Sequence, residues 1–430
     1  MPGAEGTGGG GGVRPVGLKR GFRTPFVKMG REFAHLNAVD LSVRLVDGIL
    51  DRKVVPMETI QHVIWGIVVP DPNIYSVARE VVLGSKLDNR VEAYSLSRAC
   101  ATSLQAAANA ASYYHTFPEE RSVTLVGGVE SFSAARPVLT NEAARFFKRM
   151  TSKAPVGEKI QAFFQIPLKK LFPVPPSAKE YSTGLTMGEH CELMVKAFHI
   201  PRERQDHLAL ASHRNASAAR PKIAPQIVAI GPTQRDTLIR EDASLEALKA
   251  LPAVFDRSPA GTITAGNSSP FTDGAAALFC VSPALEKEVV PDATLTDFEF
   301  VAVDPKNGLL MGPGKAMLRL LKRLNLRWND LDYIEMHEAF AGEVLCNIEA
   351  INDPRYREEQ YGVDYDPGIL EESRLNPWGS SIAYGHPFGA TGARMLNQAV
   401  AYLQDTRMHR ALLGICTAGA LAGAALVERR

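Results

Sequence analysis

Apolar residues along this chain fall into two recurring patterns. HVIWGIVV (62–69), SVTLVGGV (122–129) and ALLGIC (411–416) are nearly unbroken apolar runs rich in Val, Ile and Leu. Runs of this length predict strands buried on both faces. SLQAAANAASYY (103–114) and GARMLNQAVAYLQ (392–404) instead place apolar side chains at helical spacing. The alternation predicts an α/β architecture. With 430 residues the chain is too long for one core, so two or three packed units are expected.

Two segments read as versions of one design. VEAYSLSRACATSLQAAANAASYY leads into SVTLVGGVE, and NPWGSSIAYGHPFGATGARMLNQAVAYL leads into RALLGICTAG. Each has a turn of small residues, a helix, then a strand with glycines. Cys100 precedes Val123 by 23 residues and His386 precedes Ala411 by 25. This spacing predicts a duplicated unit with one reactive residue per copy; the alternative is the general likeness of β-turn-α-β units. The expected organisation is a Gly-rich tail (1–14), a first half (15–140 with 256–284), an inserted subdomain richer in Pro and charge (141–255), and a second half (285–430). Residues 353–368 read as a polar surface excursion.

Composition changes this picture little. Hydrophobic residues make up 45% and charged residues 22%, and the net charge is +1, so no global pull toward nucleic acid or an anionic membrane is expected. The five cysteines (100, 191, 280, 346 and 416) are far apart and form no CxxC. That pattern argues for a reducing compartment rather than a disulfide framework. The N-terminus has no signal-like apolar region and no run is long enough to span a membrane, so a cytoplasmic protein is expected.

Cys100 in SRACATSLQA stands where a strand gives way to a helix. Unsatisfied backbone N–H groups there would lower a thiol's pKa; the alternative is a packed structural cysteine. His386 in AYGHPFGATGAR has glycines around it that permit tight turning, and neutral imidazole is a natural base for a thiol. Cys416 ends an apolar run before TAGALAGAAL, whose small residues leave N–H groups open to an oxyanion; the alternative is again a core cysteine. His337 lies in HEAFAGE, which is not the HExxH zinc motif because residue 341 is alanine, so no metal is expected. No GxSxG elbow, P-loop or dinucleotide fingerprint is present.

Together these motifs resemble the thiolase family. SRACATS is similar to its nucleophile motif, HEAFAGE to its NEAF or HEAF motif, SSIAYGHPFGATGAR to its GHPxGAxGAR motif, and GICTAGALAGAAL to its C-terminal cysteine motif. TAGNSSPFTDGAAAL and YSTGLTMGEHCE resemble two further family segments, and the likeness spans about residues 15–430. The HEAF form with LFPVPPSAKEYSTGLTMGE is closest to the β-oxidation branch, which includes the thiolase subunit of the trifunctional complex.

The resemblance implies duplicated βαβαβαββ halves in a five-layered αβαβα core with an inserted CoA-binding loop domain. It implies thiolysis of 3-ketoacyl-CoA, with CoA as co-substrate and no permanently bound cofactor. Cys100 would be the nucleophile that carries the acyl group, and His386 the base that activates it, also serving an oxyanion hole. Cys416 would be the acid or base at the α carbon, and His337 would hold a water in the oxyanion hole. The N–H groups of Cys100 and Ala418 would bind the tetrahedral oxyanion. His386 is the expected base for incoming CoA. Ser269, Met187, Ala339 and Phe340 would line the pantetheine arm, and Arg240 would meet the adenine nucleotide. Implied partners are acyl-CoA and CoA, further copies in a homodimer or homotetramer, and a hydratase–dehydrogenase α subunit. Ala418 and Ala420 replace family glycines, and CATS replaces the frequent CxSG. The rival readings are a biosynthetic acetoacetyl-CoA thiolase, a ketoacyl synthase, and a non-catalytic lipid-binding or assembly protein.

Between Arg145 and Lys170 there are seven Lys or Arg against one acid, Glu158, with Phe, Ile and Leu interleaved. This segment fits peripheral membrane or partner contact, the phosphates of CoA, or merely a solvated basic face.

Overall fold

The computed structural model describes residues 15–430, so the tail expected over 1–14 lies outside the described residues. Its strands are β1 (Val16–Arg23), β2 (Val27–Lys28), β3 (Ile60–Gly66), β4 (Glu92–Leu96), β5 (Val123–Glu130), β6 (Thr272–Val281), β7 (Ala293–Ala302), β8 (Tyr333–Met336), β9 (Arg410–Thr417) and β10 (Leu421–Arg429). In the first part of the chain the helices are α1 (Ala38–Leu50), α2 (Val77–Gly84), α3 (Thr102–Thr116), α4 (Asn141–Thr151), α5 (Val156–Gln165), α6 (Met187–Ala197), α7 (Arg202–Ile223) and α8 (Leu245–Lys249). The rest are α9 (Gly312–Leu324), α10 (Ala341–Asn352), α11 (Pro354–Glu359), α12 (Ser381–Tyr384) and α13 (Thr391–Thr406).

The strands join in the order β4-β3-β5-β6-β1-β7-β10-β9-β8, with β2 beside β6. Outward from the antiparallel β1–β7 seam, the first half runs β1, β6, β5, β3, β4. The second half runs β7, β10, β9, β8, and a lone parallel bridge between Ile334 and Leu375 stands where β4 stands in the first half. Both halves therefore place their first strand at the seam, then their last, then the one before it, with the remaining two outermost in chain order. The same path followed twice is the duplication the spacing predicts.

Alternation along the strands builds the layers. On β6, Ala276, Leu278 and Cys280 join a core with α3 and α13, while Ala275, Ala277, Phe279 and Val281 join another with α1 and α2. On β9 and β10, Leu413, Ile415, Ala425 and Val427 face the α3–α13 core, while Leu412, Ala424 and Leu426 join the core of α9 and α10. The order α1–α2, sheet, α3–α13, sheet, α9–α10 is the five-layered αβαβα arrangement. The central helices are covered on both sides. The buried face of α3 is mostly alanine (106, 107, 108, 110 and 111), which lets two sheets approach one helix pair.

Between β5 and β6 the chain carries α4 to α8. Helices α4 and α5 form a hairpin closed at its base by reciprocal backbone bonds of 2.8 Å between Val138 and Val174. No residue of α5 is buried, and Phe163, Phe164, Leu168 and Phe172 are exposed.

Candidate active site

In the parallel part of an α/β sheet, chemistry gathers where strands end. Cys100 follows the end of β4, and a tight turn holds it. Ala101 N donates to Arg98 O (3.0 Å), Arg98 N donates to Thr102 Oγ1 (2.8 Å), and Thr102 Oγ1 donates to Ala99 O (2.6 Å). Ala99 sits at φ 42°, a left-handed position that costs an L-residue about 1–2 kcal/mol. The turn delivers a half-buried thiol at the start of α3.

His386 comes from the loop before α13 in the other half. Gly385 adopts φ 96°, and a Cβ there would lie 2.4 Å from Thr272 Oγ1. That same Oγ1 accepts the His386 N–H at 3.0 Å. A Cβ on Gly389 would lie 2.6 Å from Val129 O, so the loop packs directly on the end of β5. Glu130 clamps the junction, accepting N–H groups from Val68 (3.2 Å), Val69 (3.0 Å) and Gly389 (3.2 Å). Burial pushes its carboxyl up to about 7.

His386 Nε2 stands 3.1 Å from Cys100 Sγ, and its Nδ1 stands 2.7 Å from Thr391 Oγ1. Thr391 donates its hydroxyl hydrogen to Pro387 O (3.2 Å), so its oxygen accepts from Nδ1–H. The Nε2 lone pair therefore faces the thiol, the orientation a base needs. Burial, then Arg394, hold His386 down at about 3, so the ring is neutral at pH 7.

His337, at the C-terminal end of β8, is fully buried, its ring centroid 4.2 Å from that of His386. A ligand-capable atom from each of Cys100, His337 and His386 lies within 4.8 Å of the others. Burial first, then His386 and Arg394, hold His337 well below the ordinary histidine range. Cys416 is buried near the end of β9. Desolvation, then Glu343 and Cys100, push its thiol well up. Neither carboxyl oxygen of Glu343 makes a well-formed hydrogen bond, although the Cys416 thiol and the N–H groups of Ala339 and Phe340 lie beside it. Burial first pushes that carboxyl, too, well above the ordinary carboxylate range.

One expectation is corrected. Cys100 is not acidified by its helix terminus. Burial pushes its thiol up to about 12, and the N–H groups of Ala418 and of Cys100 itself, which approach the sulfur, offset this only in part. A helix terminus contributes a partial charge, whereas removal of water acts on the whole thiolate charge.

The residues expected at CoA divide. Ser269 N donates to Ala339 O (2.9 Å), and the Phe340 ring lies 5.9 Å from that of Phe255. Phe255 also covers Gly188, next to Met187 at the start of α6. Ser269, Ala339, Phe340 and Met187 thus share one neighbourhood. Arg240 is exposed on a separate loop, where its N–H donates to His213 Nδ1 (3.2 Å). Sequence reasoning missed Thr391, Thr272, Glu130, Glu343, Ser381 and Arg394. Thr391 and Arg394 lie inside GHPFGATGAR, yet no spacing rule says that one orients His386 and the other forms a buried ion pair with Glu335.

Comparison with known proteins adds to this geometry. The thiolase N-terminal domain model matches residues 16–284, and the thiolase C-terminal domain model matches residues 289–429. A 3-ketoacyl-CoA thiolase of Escherichia coli is 37% identical over 423 residues, 96% of each chain. The structure of human mitochondrial 3-ketoacyl-CoA thiolase in complex with CoA superposes with a TM-score of 0.81 at 27% identity, covering 97% of this chain and 98% of that one. The fold is also shared with a Bacillus anthracis acetyl-CoA acetyltransferase, at a TM-score of 0.81 and 24% identity, covering 97% and 100% of the two chains. With the two domain models together matching nearly all of its length and its thiol–imidazole pair built across the two halves, the chain belongs to the thiolase family.

Proposed function

We propose that this chain is a 3-ketoacyl-CoA thiolase working in fatty-acid β-oxidation, where it transfers the shortened acyl group from Cys100 to CoA. The observation that carries the reading is the 3.1 Å contact from Cys100 Sγ to His386 Nε2, with the lone pair turned toward the thiol.

Cys100 passes its proton to His386 Nε2 as its sulfur attacks the keto carbon. The N–H groups of Cys100 and Ala418 receive the oxyanion. Collapse breaks the carbon–carbon bond and leaves acyl-Cys100 with the enolate of acetyl-CoA. His386, now protonated, and His337 hold the enolate oxygen, and Cys416 delivers a proton to the carbon. Each such oxyanion donor is worth about 3 kcal/mol of barrier. The proton count then revises one expectation. His386 still holds the Cys100 proton, so the vacant base for incoming CoA-SH is the Cys416 thiolate. CoA sulfur attacks acyl-Cys100, the released thiolate recovers its proton from His386, and every charge closes.

Ser269, Met187, Ala339 and Phe340 form the pantetheine wall in this reading, and Arg240 meets the nucleotide end. A second copy pairs along the outer edge of β4, which has no neighbour among the described residues. The basic α4–α5 hairpin rests on an anionic lipid surface, supported by its exposed Phe163, Phe164 and Leu168. Among the described residues no helix is long and apolar enough to cross a membrane. The compartment we assign is the cytoplasm, with the hairpin touching the membrane from that side.

The test is CoA-dependent loss of 3-ketoacyl-CoA absorbance, with acetyl-CoA and the shortened acyl-CoA identified by mass spectrometry. Cys416→Ala should lose cleavage at least about 100-fold, on the scale of a lost proton-transfer group. A ketoacyl synthase would not need that thiol, so undiminished turnover favours that rival. Absence of cleavage at every chain length, with CoA still bound, favours a non-catalytic protein.

A further inference from the structure

We propose that Ser381 and Arg394 are positioning residues that fix His337 as a direct hydrogen-bond donor to the reacting oxygen, its ring hydrogen on Nε2. The inference rests on the thiolase reading above and adds what sets the second imidazole.

A buried chain of hydrogen bonds leads to His337. Ser381 Oγ lies 2.9 Å from His337 Nδ1 and accepts a hydrogen bond from Arg394 Nη2 at 3.0 Å. A guanidinium only donates, so that contact uses a lone pair of the serine oxygen. The hydroxyl hydrogen is left with one acceptor among its contacts, His337 Nδ1. If Nδ1 accepts, the hydrogen of the neutral ring must be on Nε2. That atom is buried and has no partner among the described residues. An unpaired buried N–H is costly, and the reacting oxygen of the substrate would remove that cost.

Arg394 is fixed by its own partners. It is buried against Glu335, and its Nη2 also donates to Ser380 Oγ at 3.3 Å. Ser380 Oγ donates to Glu335 Oε1 (2.8 Å), and Tyr333 donates to Glu335 Oε2 (2.6 Å). The guanidinium cannot turn away without exposing a buried carboxylate. The two histidines are thus set oppositely by two hydroxyls. Thr391 receives from His386 Nδ1 and turns a lone pair toward Cys100, while Ser381 gives to His337 Nδ1 and turns a hydrogen outward. A base and an oxyanion donor are made from the same side chain. His337 then needs no charge, in keeping with a ring that burial holds neutral.

The test pairs kinetics with a signature that a merely structural role would not move. Ser381→Ala should lower kcat by about tenfold or more, part of the effect of removing an oxyanion donor, with KM for CoA nearly unchanged. Ser381→Thr keeps the hydroxyl and should restore most of the rate. In ¹⁵N-histidine spectra of the full chain, His337 should show a protonated Nε2 and a bare Nδ1, and Ser381→Ala should shift that pattern. A wild-type spectrum with the hydrogen on Nδ1, or a Ser381→Ala enzyme with unchanged kcat, overturns the proposal. If the wild type shows no thiolysis, the functional reading fails, while the spectrum still decides the tautomer.

Discussion

Both thiols of the site stand near an alanine in a conformation that glycine prefers: Ala99 at φ 42° before Cys100, and Ala420 at φ 57° after Cys416. Ala420→Gly should therefore stabilise the fold by about 1 kcal/mol, the left-handed penalty it removes, read as a rise in the denaturation midpoint; a lower midpoint would show that the alanine methyl earns its place by packing. The pairing of Cys100 with His386 rests on residues that were legible, because a cysteine opening a helix and a histidine among glycines are local signals. The acidity of the thiol was not, because desolvation by two sheets is a tertiary fact. With the Cys100 thiol up at about 12 and His386 down at about 3, the resting pair is uncharged. Only the thiolate reacts, so iodoacetamide alkylation of Cys100 should rise about tenfold per pH unit from pH 6 to 9. A plateau beginning near pH 7 would mean that a thiolate–imidazolium pair already exists in the free protein.

At the scale of elements, the histidine loop depends on the strand end beneath it. The sequence predicts a strand over 62–69, but β3 stops at Gly66 because Val68 and Val69 turn their N–H groups to Glu130. The same carboxylate holds Gly389, so one side chain sets where a strand ends and where the His386 loop stands. Gly389→Ala would force its Cβ onto Val129 O. We expect a loss of more than 100-fold in kcat with secondary structure retained by circular dichroism, since displacement of the base by about 1 Å is enough; near-normal turnover would mean the loop is not held there. The stretch TDGAAALFCV is marked in the sequence only as part of a family segment, and no strand is predicted where β6 lies. Its alanines carry no strand preference of their own and are explained only by the helices packed on both faces.

At the scale of the whole molecule, the predicted duplication is visible as one strand order followed twice, whereas the α4–α5 hairpin belongs to neither copy. Removing residues 145–170 should cut co-sedimentation with vesicles rich in phosphatidylserine while sparing turnover of a short substrate; equal loss of both would count against a membrane role. Tyr94 is partly exposed on the outer strand β4. Tyr94→Glu, placed beside Glu92 and repeated across a two-fold axis, should shift sedimentation toward the monomer, and an unchanged mass would remove β4 from the interface. The β1–β7 seam has a further consequence. Cys100 lies on one side of it, and His386, His337, Cys416 and the Ala418 N–H lie on the other. Parting the halves by a few ångströms would strip the sulfur of its proposed base and oxyanion donor at once, leaving an inert thiol. We expect the seam to act as a safety interlock: in the proposed mechanism acyl-transfer reactivity exists only while the two lobes are fully engaged, and a partly opened molecule falls silent before Cys100 can modify anything else.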